Sequence, residues 1–151
     1  MPAGTWESHH AITSLVFRYA ECVDAADFDG IGELFEHGSI TNEGHPGVVE
    51  GRGAVRALYE RANRVHDDGT LRTRHLTTNL LVDVDEQADR ATARSAFVVF
   101  QATPRLPLQA IVAGRYHDDF ERVDGTWRFR RRHILLDQVG DVSEHLTFDV
   151  G

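Results

Sequence analysis

One cysteine in 151 residues leaves this chain without an intrachain disulfide. That residue, Cys22, falls inside a helical pattern and reads as a small buried side chain rather than a nucleophile. No apolar run is long enough to span a bilayer, and the first residues lack the basic and apolar regions of a signal peptide. The expectation is a cytoplasmic protein with no membrane partner. Basic residues are also scarce, with 16 Lys and Arg against 24 Asp and Glu and a formal net charge of -8. A phosphate backbone needs a basic surface, so nucleic acid is disfavoured as a partner. Arg128, Arg130, Arg131 and Arg132 do cluster on one segment, but alternate arginines on a strand better fit a solvated or intersubunit face.

The nine histidines show no metal-ligand spacing. His9 and His10 are adjacent and point to different helix faces, His37 and His45 flank a loop, and His117-Asp118-Asp119 alternates across a strand. No phosphate-cradling loop or dinucleotide fingerprint occurs, since Gly51-Arg52-Gly53 stops short of one. We therefore expect neither metal nor cofactor. What is present is an ordinary globular composition, 41% hydrophobic and 26% charged. It is enough for one domain over residues 1–151 with a proper core, without repeat or linker.

Ile12, Leu15, Val16, Tyr19, Ala20 and Val23 recur at the spacing of one helical face, with Ser8 as the expected N-cap. Asp27-Phe28-Asp29-Gly30 interrupts the pattern, and Ile31, Leu34 and Phe35 predict a short second helix. After Gly38 come β-like segments at 39–42 and 48–50, with turn chemistry between them at 43–47. A third helix is predicted from Gly53 to about Val65. Four long strands follow, near 72–84, 91–102, 108–123 and 126–138, and Asp124-Gly125 is a strong hairpin signal between the last two. Helices followed by an antiparallel meander predict an α+β domain. A long curved sheet around helices would leave a cone with a hollow mouth, a good small-molecule site.

Two residues stand out on this plan. Asp24 lies at the C-terminal end of the first helix, where the macrodipole disfavours an anion. It sits at the margin of the apolar stripe, either seeking a partner or capping the next turn near Asp27. His75 shares a strand face with Thr73, Thr77, Asn79 and Leu81, while Leu76, Leu80 and Val82 take the other. That polar stripe fits either a cavity or solvent. A carboxylate that meets an imidazole in an apolar pocket is equipped to take a proton near neutral pH.

The order Arg18-Tyr19-Ala20, Asp24, Asp27, Phe35, Gly51-Arg52-Gly53-Ala54-Val55, His75 and Asn79 resembles the SnoaL-like branch of the nuclear transport factor 2-like superfamily. The closing hairpin, from Gly114-Arg115-Tyr116 through Asp124-Gly125 to Trp127-Arg128-Phe129 and Arg132, completes a resemblance over nearly the whole chain. It implies a cone-shaped, antiparallel-rich mixed sheet wrapped around a helix hairpin and a third helix. Within the branch the chain looks most like scytalone dehydratase and hexachlorocyclohexane dehydrochlorinase relatives. The resemblance implies an Asp–His dyad, with His75 as base and Asp24 orienting it, and Arg132 in the place of a catalytic arginine. Tyr19 stands where the dehydrochlorinase has a lysine, which argues against dechlorination.

The expected chemistry is a cofactor-independent lyase or isomerase, either dehydratase-like or polyketide cyclase-like. Its substrate would be a small, largely apolar hydroxy or carbonyl compound. Tyr19 would donate its phenol or merely pack, and Asn79 would donate to substrate or to backbone. Strand parity places Arg132 with Arg130 and Ile134, opposite Trp127, Phe129, Arg131 and His133, so Arg132 reaches the pocket only through a bulge. Without one, Arg131 or His133 faces it. Tyr59, Phe97, Val99 and Tyr116 read as pocket walls or plain core. The rival reading is a non-catalytic binding or association module using the same pocket. A homodimer or higher homo-oligomer is expected through the outer sheet face, its arginines paired with a partner subunit's acids.

Overall fold

The structure, a computed structural model, describes residues 4–149. It is an α+β fold of three helices on one open six-stranded mixed sheet. Helix α1 spans Trp6–Asp24 and buries Ile12, Val16, Tyr19, Ala20 and Val23. Its N-cap is Thr5, whose hydroxyl accepts from the Ser8 amide at 3.1 Å. The expectation for Ser8 is thereby corrected. Ser8 is buried one turn inside the helix, and its hydroxyl instead accepts from the Trp127 indole at 3.0 Å.

Asp27 caps helix α2, Phe28–Leu34, by accepting from the Gly30 amide at 2.9 Å, so this helix begins three residues earlier than its apolar pattern suggests. Strands β1 (Ser39–Asn42) and β2 (His45–Glu50) pair antiparallel. Helix α3 spans Arg52–Ala62 and stops short of Val65, because Asn63 turns extended and bridges to Leu146. Then come β3 (Thr73–Asp85), β4 (Arg90–Thr103), β5 (Leu106–Val123) and β6 (Thr126–Val139). The β5–β6 turn has Asp124 and Gly125 both at positive φ, 52° and 81°, as a two-residue hairpin requires.

The sheet order is β2-β1-β6-β5-β4-β3, with only the β1–β6 pair parallel. Helix α1 packs on both β3 and β6, which have two strands between them, so the sheet curls around it. Alternation along β4 buries Ala91, Ala93, Ser95, Phe97, Val99 and Gln101 against the helices. Gly114 on β5 leaves room for this packing. A Cβ there would meet the Phe97 ring at 2.8 Å and press on the Leu135 carbonyl.

Two of the sheet's bulges decide which of the expected site residues face inward. On β6 the register slips opposite Asp119 and Phe120, so Arg130 is the extra residue and Arg132 joins Trp127 and Phe129 on the inner face. On β3 the register slips between Thr78 and Leu81, with Asn79 at φ 54°. His75 and Thr77 face inward before this bulge, Leu80 and Val82 after it. Three of the last strand's four arginines find acids within the chain, where a partner subunit's had been expected. Arg128 pairs with Glu121, Arg131 with Asp119 and Arg132 with Asp118, all on β5. Among the described residues no helix is long and apolar enough to cross a membrane.

Candidate active site

Helix α1 ends as it passes the start of β3, and this contact joins Asp24 to His75. The His75 ring Nδ1 lies 2.6 Å from Asp24 Oδ1. The His75 backbone amide donates to Asp24 Oδ2 at 2.9 Å, and the Thr73 hydroxyl donates to Oδ1 at 2.8 Å. Both side chains are largely withdrawn from water, with 7% of His75 and 17% of Asp24 exposed. Burial alone would raise the Asp24 carboxyl, but the His75 ring, the backbone amide and Thr73 together hold it below its ordinary value. Asp24 is therefore an ionised acceptor, and its first contact orients the imidazole.

His75 borders two concavities. One is an open groove of about 1030 Å³ past Phe17, Asp24, Arg72 and Leu108 on the outer flank of α1. The other is an interior cavity of about 640 Å³ between the inner sheet face, α1, α3 and the C-terminal segment. We place the site in the interior cavity, since Tyr19, Tyr59, Phe97, Val99, Tyr116 and His145 all line it beside His75. A mostly apolar chamber with a few convergent polar groups is the usual form of a small-molecule site.

Tyr19 and Tyr59 join hydroxyl to hydroxyl in this chamber. Burial raises the Tyr19 phenol above its ordinary value, and the Arg132 guanidinium offsets part of that effect. Burial also drives Tyr59 and Tyr116 well up, so all three phenols stay protonated and can donate near neutrality. Phe97 stacks flat on Tyr116 with ring centroids 4.2 Å apart.

Arg132 does not line the chamber. It is fully buried behind the tyrosines, 4.3 Å from the Tyr19 ring centroid and 3.7 Å from that of Tyr116. Asp118 clamps it with two bonds, at 2.8 and 2.9 Å. Burial opposes the charge, but Asp118 overcomes this and holds the guanidinium protonated. Arg132 thus stands behind the Tyr19 and Tyr116 rings, where direct contact with the chamber had been expected. Asn79 is corrected as well, because its bulge turns it outward, away from the chamber. His133 lies on the outer sheet face, its Nδ1 2.7 Å from the Thr41 hydroxyl, because the Arg130 bulge gives the inner position to Arg132.

His145 is a polar lining residue of the chamber that the sequence patterns did not reveal. It lies beyond β6 in a stretch with no apolar periodicity, where pattern reading offers no signal. Among the described residues no three His, Cys, Asp or Glu side chains converge to hold a metal ion.

The model of the SnoaL-like domain family matches residues 4–133. Among solved structures, a Mycobacterium tuberculosis protein of unknown function is 33% identical, with TM-score 0.73 over 96% of this chain and 79% of that one. An NTF2-like protein with a cystatin-like fold from Novosphingobium aromaticivorans is 26% identical, with TM-score 0.73 over 91% of this chain and 86% of that one. A second N. aromaticivorans protein, which carries a provisional scytalone dehydratase name, is 24% identical, with TM-score 0.70 over 89% and 87% of the two chains. No match was found among curated proteins. The family match over most of the chain, on a sheet wrapped around a helix-lined chamber, has one meaning: the chain belongs to the SnoaL-like domain family.

Proposed function

We propose that this chain is a cofactor-independent lyase or isomerase, dehydratase-like or cyclase-like, acting on a small and largely apolar hydroxy or carbonyl compound. The Asp24–His75 bond at the wall of the interior cavity carries the reading. Asp24 takes the hydrogen bond from Nδ1–H, which leaves the Nε2 lone pair as the base. His75 removes a proton from carbon beside an activating group, and Asp24 stabilises the imidazolium that forms. The Tyr19 hydroxyl, held by the hydrogen bond from Tyr59, steadies the developing oxyanion or the departing oxygen. Arg132 acts through Tyr19 and Tyr116 as a positioning residue. The provisional dehydratase name of one N. aromaticivorans relative favours elimination of water over ring closure.

The test is deuterium exchange into β-hydroxy ketones and polyketide-like ketones, followed by proton NMR. The wild type should exchange the proton beside the carbonyl, and His75→Ala should not. Equal exchange in both overturns the proposal and favours a binding module.

We also propose a homodimer through the outer sheet face. Leu76, Val98 and Ala113 sit there in register across three strands, with Leu76 43% exposed. Sedimentation should give a dimer at micromolar concentration, and Val98→Arg should give a monomer. A wild type that stays monomeric overturns this arrangement.

A further inference from the structure

We propose that His145 is a second substrate-contacting residue, donating from Nε2–H to the carbonyl oxygen of the molecule that His75 deprotonates. The inference rests on the lyase reading and narrows its substrate class to enolisable ketones and aldehydes.

Three observations support it. The first is position. The His145 ring lines the same chamber as His75, with centroids 6.2 Å apart and planes crossing at 68°. A carbon acid lying in the chamber alongside both rings can offer its C–H to one and its carbonyl oxygen to the other.

The second is rigidity. The His145 amide donates to the Val142 carbonyl at 3.0 Å, and its own carbonyl accepts from the Arg64 amide at 2.8 Å. On one side, the Glu144 carbonyl accepts from Gln101 Nε2 at 3.0 Å and lies 2.8 Å from His66 Nε2. On the other, Leu146 bridges to Asn63. This stitching fixes the ring against the chamber without help from a ligand, as a preorganised donor requires.

The third is the tautomer. Among the described residues Nδ1 of His145 is sealed from solvent with no hydrogen-bond partner, which leaves Nε2 on the cavity side. A buried N–H with no acceptor is the rarer and costlier orphan, so the proton belongs on Nε2. Burial first, and then the neighbouring His75, push the His145 imidazole down to about 4. The facing charged groups are His75 on β3, Asp24 on α1 and His66 before β3, and of these only Asp24 opposes the shift. His145 thus stays neutral when His75 gains its proton. A neutral imidazole is a competent electrophile toward a carbonyl and does not repel the imidazolium beside it.

The step balances without a co-reactant. His75 Nε2 takes the proton, and the C–H electron pair moves through the carbon–carbon bond onto the carbonyl oxygen held by His145. The enolate pair then returns and expels the β-hydroxyl, which leaves as water with the proton that His75 took. This division assigns the carbonyl to His145 and the leaving oxygen to the Tyr19–Tyr59 pair.

Two readouts test the assignment without turnover. Long-range proton–nitrogen NMR should show His145 as the neutral Nε2–H tautomer between about pH 5 and 8. An Nδ1–H tautomer, or protonation in that range, overturns the proposal. Binding of 4-nitrophenolate, an enolate-like anion, should shift the His145 Nε2–H resonance downfield. His145→Phe should weaken 4-nitrophenolate about tenfold or more and leave nitrobenzene affinity unchanged, and His145→Gln should restore part of the loss. Equal weakening of both probes, or of neither, overturns the donor role. The base His75 is tested separately by isotope exchange, so the two failures are distinguishable.

Discussion

Asp24 grips His75 at two points, the ring nitrogen at 2.6 Å and the backbone amide at 2.9 Å, and so fixes both the strand and the imidazole it carries. A carboxylate bound only to the ring would let strand and helix drift. Here the Thr73 hydroxyl adds a third bond, so the acceptor itself cannot rotate freely. Asp24→Asn keeps the shape but replaces an acceptor with a group that is half donor. In the proposed mechanism the imidazolium then loses its counter-charge, and the rate should fall by about 10²- to 10⁴-fold. Affinity for an apolar cavity ligand should barely change. Single-turnover kinetics beside ligand titration would separate the two, and an equal loss in both would mean that Asp24 serves only packing.

The same contact makes stability depend on pH. The Asp24 carboxyl is depressed in the folded state, so the unfolded chain binds the proton more readily. The resulting stability is fully present above the ordinary carboxylate value of about 4 and is lost as pH falls through the depressed value. Urea unfolding of wild type and Asp24→Asn from pH 7 downward should show the gap between them narrowing below about pH 4. A constant gap across that window would contradict the sign.

Much of this arrangement was legible in the sequence because it rests on period and turn chemistry. The α1 stripe, the four long strands and the Asp124-Gly125 turn follow from side-chain spacing and a left-handed turn requirement. Bulges are less legible. Parity at Arg132 left two outcomes open, an extra residue in β6 or an inward Arg131 or His133, and the structure supplies the extra residue at Arg130. On β3 nothing in the alternation signals the slip at Asn79, and one extra residue there moves Asn79 out of the site. His145 reaches the chamber through loop hydrogen bonds to Arg64 and Val142, and main-chain partners leave no trace in side-chain periodicity.

Tyr59 was one of the apolar walls in the sequence, yet its hydroxyl faces that of Tyr19. Tyr59→Phe should cost about 1 kcal/mol, because one buried hydrogen bond is lost and the Tyr19 hydroxyl is left alone. The bond from Tyr59 also lowers the Tyr19 phenol, partly offsetting burial. Without it the Tyr19 ionisation should move further up, visible by ultraviolet difference titration. A downward move would reverse the inferred direction, in which Tyr59 donates.

Arg132 and Asp118 pose the sharpest test, because both are nearly sealed from water, at 0% and 2% exposure. Removing a charge from water is costly, and the bidentate bond with stacking on Tyr19 and Tyr116 offsets that cost only while both partners stand. One guanidinium nitrogen, Nη1, already lacks a partner among the described residues. Asp118→Ala should therefore destabilise by about 3–5 kcal/mol, leaving Arg132 buried and uncompensated. The double variant Asp118→Leu with Arg132→Met removes both charges at similar volume and should recover most of that loss. If the pair serves stability alone, the double variant should also keep wild-type isotope exchange. If Arg132 positions Tyr19, exchange should drop while the urea midpoint returns toward wild type. Recovered stability with a slower rate would identify the buried pair as a support for the phenols, and its retention in the core would then follow from the chemistry it orients.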